Sequence, residues 1–178
     1  MFKPNWIQYT WDLKSLPDES EISAVKGDLR LAEKSDWEAC LNILKGSLMT
    51  ERASTDEIEQ LLSEFESLFS KSFEKDAKSE IVVWEDGRRL VGLSTLSLDS
   101  DSERHLVSGV CVFEEYRCRG GGKALLLRSL TRLKEHGLNT ASVITREGMS
   151  AAKFLYPKFS SKNHEVDELP AWEVEIAK

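Results

Sequence analysis

After Ser54, apolar residues recur at helical spacing: Ile58, Leu61, Leu62, Phe65, Leu68 and Phe69 form one stripe with acidic residues between them. Ser54 with Glu57 makes a capping box that opens this helix. A second box, Ser35 with Glu38, predicts a helix carrying Trp37, Cys40, Leu41, Leu44 and Leu48 on one face, fed by a short alternating strand over 28–32. Downstream, β-rich runs at 81–84 and 90–98 flank Glu85-Asp86-Gly87-Arg88, a strong hairpin signal.

The polar segment 99–103 leads to HLVSGVCVF at 105–113, a buried strand interrupted by Gly109. A glycine there marks a bulge or the close approach of a ligand to the backbone. Leu126, Leu127, Leu130 and Leu133 predict a helix over 123–136, capped by Gly137. A short strand at 141–145, a short helix at 149–156 stopped by Pro157, and a last strand with Trp172, Val174 and Ile176 complete the order β-α-α-β-β-β-α-β-α-β, with room for one more strand near Phe159. Residues 1–27 read as an extension packed on a domain spanning 28–178; Trp6, Ile7, Tyr9 and Trp11 include an alternating set that suits a sheet edge.

Charge narrows the function classes. Lys and Arg number 24 against 31 Asp and Glu, a net charge of −7, which argues against a nucleic-acid surface. The three cysteines, Cys40, Cys111 and Cys118, show neither a disulfide framework nor metal-ligand spacing, so no metal is expected and a reducing cytoplasm is. No segment reads as a signal peptide or membrane span, and no membrane partner is expected.

The chemistry concentrates in EEYRCRGGGKALL, 114–126. A strand followed by a glycine-rich turn that opens a helix gathers backbone N–H groups at the positive end of a helix dipole, and Arg117, Arg119 and Lys123 add positive charge. A phosphate or pyrophosphate suits such a loop. A Walker A loop would need glycine at Arg117 and Ser or Thr at Ala124, and a Rossmann fingerprint would need a small residue at Leu125 and a parallel βαβ unit.

Arg117-Cys118-Arg119-Gly120-Gly121-Gly122 instead matches the R/Q-x-x-G-x-G/A signature of the GNAT N-acetyltransferase superfamily, and VCVFEEYRCRGGGKALL resembles that family's strand, loop and helix. TREGMSAAKFLY at 145–156 resembles its N-x-x-A-x-x-L-Y stretch at Ala152, Leu155 and Tyr156. The likeness follows the element order over 28–159. It implies an α+β fold with a mixed, mostly antiparallel sheet of about six or seven strands flanked by about four helices. It also implies acetyl-CoA as cosubstrate, with its pyrophosphate on Arg117, Cys118, Arg119, Gly120, Gly121, Gly122 and Lys123. The pantetheine arm would lie along the backbone of Val110, Cys111 and Val112, with Ala152 against the cofactor and Tyr156 as the acid that protonates the leaving thiolate.

For the base, Glu103 and His105 stand at the entry of the strand before the loop, and Glu114 and Glu115 at its exit. Histidine has the intrinsic pKa for the task, and a strand-end histidine is also a common structural residue. Tyr156 likewise reads either as an acid or as a tyrosine closing the core. No activating base accompanies Cys111 or Cys118, which argues against a nucleophilic cysteine. The resulting expectation is transfer of an acetyl group to a primary amine on a small molecule or peptide, by direct attack in a ternary complex. The oligomeric state is open, a homodimer included. Met149 in place of the family's frequent Asn, and Pro157-Lys158-Phe159 in place of a Gly-Phe pair, motivate a second reading as a non-catalytic acyl-CoA-binding module. A nucleotide-binding protein is the third.

Overall fold

A computed structural model describes residues 5–22, 25–51 and 54–167. The elements are β1 (Trp6–Asp12), β2 (Asp28–Leu31), α1 (Trp37–Thr50), α2 (Thr55–Lys71), β3 (Ser79–Asp86), β4 (Arg89–Ser97), β5 (Leu106–Val112), α3 (Gly121–Glu135), β6 (Thr140–Arg146), α4 (Ser150–Phe154) and β7 (Lys162–Val166). The strand expected around Trp172 lies outside the described residues. The chain is a mixed α+β fold whose ladders are antiparallel, as the hairpin signal predicts.

Two sheets meet side by side, β2-β3-β4-β5 and β6-β1-β7. Strand alternation sorts the side chains into two cores. Ile81 and Val83 of β3 face α1 and α2, joining Ile43, Leu44, Phe65, Leu68 and Phe69, whereas Val82 and Trp84 face α3 with Leu125, Leu126 and Leu130. Each such large side chain contributes roughly 1.5–3 kcal/mol on burial. Trp37 stacks on Phe65 with ring centroids 5.7 Å apart, pinning α1 to α2.

The capping box Ser54–Glu57 forms as expected: Glu57 N–H donates to Ser54 Oγ at 3.3 Å and Ser54 N–H to Glu57 Oε2 at 2.8 Å. The box expected from Ser35 and Glu38 does not. Asp36 takes that place, accepting from the Glu33 N–H at 2.7 Å, because Arg30 on β2 grips its carboxylate at 2.7 and 3.1 Å and draws the chain into a tight turn before α1. Arg30 also holds the Asp36 carboxyl below its ordinary range.

β1 is not the edge strand that its alternation suggests. It runs antiparallel between β6 and β7, with Tyr9 opposite both Val143 and Asn163. Tyr9, Trp11 and Leu13 are buried in the α3-side core, so this segment is an internal strand of its sheet. The outer strand is β7, whose side chains are mostly exposed.

Candidate active site

Among the described residues, β5 and β6 join the two sheets where β5 begins. The backbone N–H of His105 donates to Ser142 O at 2.9 Å, and the N–H of Ser142 donates to His105 Nδ1 at 3.1 Å. Beyond it β5 and β6 separate, and the gap is lined by residues 109–112 on one side and 143–146 on the other. The cleft measures about 510 Å³.

Gly109 makes the parting possible. Its φ is +70°, the β4–β5 register breaks between Ser94 and Leu96, and a Cβ on it would stand 2.3 Å from Tyr156 Oη. The phenol fills that notch and accepts from the Val110 N–H at 3.0 Å. Val91 accepts from the Phe113 N–H at 3.0 Å, and the ladder alternation then turns the N–H and C=O groups of Val110 and Val112 away from β4 into the cleft. With the Val110 N–H held by Tyr156 and the Val112 O by Arg117 Nε, the Val110 C=O and the Val112 N–H are the groups this edge presents to an extended amide-bearing ligand.

Tyr156 is 2% exposed and packs against Tyr9 and Trp11, with ring centroids 5.8 and 6.1 Å away. β1 fixes the segment around it: Tyr9 Oη donates to Ala152 O at 2.9 Å and Trp11 Nε1 to Lys158 O at 2.8 Å. Burial pushes the Tyr156 phenol above its usual range, so at neutral pH it holds its proton.

The glycine loop closes one end of the cleft. α3 begins at Gly121, two residues before the expected Lys123, so the glycines form the helix's own first turn. Gly120 caps it at φ +83° with no side chain in the way, and no acidic residue sits in the first turn to offset the helix dipole. Gly122 and Lys123 line the cleft together with Gly120. Gly121 faces inward, where a Cβ would lie 2.0 Å from the Trp84 ring.

The flanking arginines are engaged within the protein. Arg117 donates from Nε to Val112 O and from Nη1 to Glu51 Oε1, both at 3.2 Å. Arg119 lies over the Tyr116 ring, 5.1 Å from its centroid, and does not line the cleft. Cys118 and Cys111 do line it; burial raises the Cys111 thiol to about 11, which leaves little thiolate there.

None of the four base candidates, Glu103, His105, Glu114 and Glu115, lines this space. His105 is 3% exposed and bonded to the β6 backbone, and burial lowers its pKa. Glu103 contributes its carbonyl, which accepts from Gln8 Nε2 and Ser142 Oγ, to the same junction. Glu115 pairs with Arg89 at the surface. The carboxylates that line the cleft are Glu51, Glu57 and Glu64 on the α1–α2 side, alongside Arg104. Glu51 is bonded to Arg117 and to the Ser150 N–H, and Glu57 pairs with Arg146. Glu57, Gln60 and Glu64 follow one another at helical spacing, the signal by which the sequence could have revealed them.

Among the described residues, no group of His, Cys, Asp or Glu side chains could hold a metal ion, and no helix is long and apolar enough to cross a membrane.

No curated protein matches the sequence. Solved structures share the fold at low identity. An acetyltransferase of the GNAT family from Colwellia psychrerythraea is 15% identical with a TM-score of 0.63, over 93% of this chain and 55% of that one. A GCN5-related N-acetyltransferase from Sphaerobacter thermophilus is 18% identical with a TM-score of 0.61, over 92% and 50%. One from Kribbella flavida is 14% identical with a TM-score of 0.56, over 93% and 56%. The chain thus spans about half the length of these structures. Residues 37–160 match the family model described as Acetyltransferase (GNAT) family, across the helices, the glycine loop and the β5–β6 cleft, and the chain belongs to that family.

Proposed function

We propose that this domain is an acetyl-CoA-dependent N-acetyltransferase that moves an acetyl group to a primary amine by direct attack in a ternary complex. The observation that carries the reading is the parting of β5 from β6 at Gly109, which turns the Val110 and Val112 backbone into a cleft ending on the first turn of α3.

Acetyl-CoA would supply the activated acetyl group. The α3 N-terminal amides, Gly120, Gly122 and Lys123 suit its pyrophosphate, since no side chain of the glycines intrudes and the helix dipole favours an anion. The Val110 C=O and the Val112 N–H offer an acceptor and a donor for the pantetheine amides, the Val110 N–H being held by Tyr156 and the Val112 O by Arg117, and Ala152 and Leu155 pack beside Tyr156. Tyr156 keeps a phenolic proton at the bulge, placed to protonate a departing thiolate. Holding both substrates in one cleft supplies much of the rate gain, by converting their encounter into an intramolecular step.

The second reading, a non-catalytic acyl-CoA-binding module, draws on the absence of Glu103 and His105 from the cleft lining. Thermal unfolding with saturating acetyl-CoA, CoA, ATP or NAD tests the cofactor common to both readings: a ligand bound only by the folded state raises the midpoint. A rise with CoA species alone supports them. No rise, or a rise with ATP or NAD instead, overturns both. Thiol release on adding amines then separates enzyme from module.

A further inference from the structure

The α1–α2 end of the cleft holds a cation that the protein leaves poorly partnered. Arg104 is 4% exposed and its guanidinium makes one hydrogen bond, from Nη2 to Val107 O at 3.0 Å. Nε and Nη1 are buried without a hydrogen-bond partner among the described residues. No ion pair joins Arg104 to a carboxylate among the described residues, although the charge of Glu64 is near enough to favour the protonated guanidinium, against the desolvation that lowers its pKa. A buried cation in this state is costly unless an anion completes it.

Its position gives that anion a role. Arg104 lines the same cleft as Gly109, Val110 and Tyr156, together with Leu48, Glu64 and Val107. Val107 O, which anchors the guanidinium, precedes Val110 by three residues on the same strand, so an anion on the free edge of the guanidinium and a ligand lying along Val110 would share one cleft.

We infer that Arg104 recognises a carboxylate on the amine acceptor, which makes the acceptor an amino acid rather than a plain amine. The inference rests on the acetyltransferase reading of the cleft. Arginine suits the task because its planar fork engages a carboxylate bidentately, and the Nε edge left unpartnered here is one side of such a fork. Arg104 is then a specificity-determining residue.

The test is thiol release from acetyl-CoA with a panel of free amino acids, each paired with its methyl ester and its decarboxylated amine. Free acids should be turned over, with ester and amine lower in kcat/KM by roughly 30-fold or more, the loss expected when a buried charge goes unpaired. Arg104→Gln should raise KM for the acid far more than it lowers kcat, narrow the gap between acid and ester, and leave the acetyl-CoA thermal shift in place; Arg104→Lys should restore part of the preference. Preference for plain amines, or no turnover of any amino acid by protein that still binds acetyl-CoA, overturns the inference and leaves the cofactor reading standing. An equal loss for acid and ester in Arg104→Gln also overturns it. The acid-to-ester ratio of the unmodified protein decides the matter even where the variants do not fold. Absence of any acetyl-CoA shift defeats the reading of the cleft itself, and this inference with it.

Discussion

Tyr156 Oη sits 3.0 Å from the backbone nitrogen of Val110, in a notch that exists only because residue 109 has no side chain. The hydroxyl satisfies a strand N–H and carries a proton into the cleft. Tyr156→Phe should therefore act twice. Leaving the Val110 N–H without a partner costs about 1–3 kcal/mol of stability, and with Tyr156 as the acid of the proposed reaction kcat should fall by about 10²-fold or more. Chemical denaturation and steady-state thiol release measure the two losses. An undiminished kcat would remove Tyr156 from the chemistry.

Neighbouring glycines of the loop should respond in opposite ways. Gly121→Ala drives a methyl into the Trp84 ring and should cost about 1–3 kcal/mol of folding stability through overpacking. Gly122→Ala meets nothing nearer than Leu155 Cδ2 at 3.7 Å, so the fold should persist, with a gain of up to about 1 kcal/mol from helix propensity. Acetyl-CoA affinity should nevertheless fall in Gly122→Ala, where the methyl enters the cleft. Melting curves with and without ligand separate the two outcomes, and similar melting of both variants would contradict the packing described.

Arg117 and Glu51 form a half-buried pair at 3.2 Å across the cleft mouth, so part of the arginine's charge is cancelled where an anion would arrive. Glu51→Gln removes that cancellation. CoA should bind roughly threefold tighter at low salt, the scale of a pair contributing about 0.7 kcal/mol, with the advantage shrinking as salt rises. Calorimetric titration at two ionic strengths checks it; weaker binding would show that Glu51 shapes the site more than it competes for Arg117.

His105 sets a pH dependence of stability. Burial lowers its folded-state pKa below the unfolded value of about 6.5. Its Nδ1 accepts from the Ser142 N–H, which only the neutral ring can do. The unfolded chain thus binds the proton first, and the stabilisation present above about pH 6.5 is lost as pH falls through the window toward the folded pKa. Urea midpoints should decline from pH 7.5 to 5 more steeply in the unmodified protein than in His105→Gln. Parallel declines would assign the acid sensitivity elsewhere.

Local signals carried most of what the sequence disclosed. The stripe of α2, its Ser54–Glu57 box, the hairpin and the glycine loop each depend on residues close along the chain; the first two form where their patterns predict, the hairpin turns at Gly87-Arg88 with Asp86 still paired to Arg89, and the loop opens α3 two residues early, at Gly121. The misplaced features depend on distant partners. β1 looks like an edge because alternation says nothing of how many neighbours a strand has; strands arriving from residues 140–146 and 162–166 make it internal. His105 looks like a base until Ser142 takes its Nδ1. Arg104, between Glu103 and His105 after a polar loop, has no local pattern that marks it as buried, and its burial comes only with the packing of the tertiary fold.

The placement of β1 also bears on how the protein is made. Tyr9 and Trp11 leave the ribosome well over a hundred residues before β6 and β7, the strands that pair with theirs. Pairings so distant in sequence form slowly, and apolar surface that waits for a partner is prone to aggregation. A nascent chain ending before Thr140 would hold the glycine loop but neither β6 nor Tyr156, so the opposite wall of the cleft would be missing and the N-terminal aromatics left uncovered. Capacity to bind a cofactor should thus arise abruptly, as β6 and β7 dock on β1.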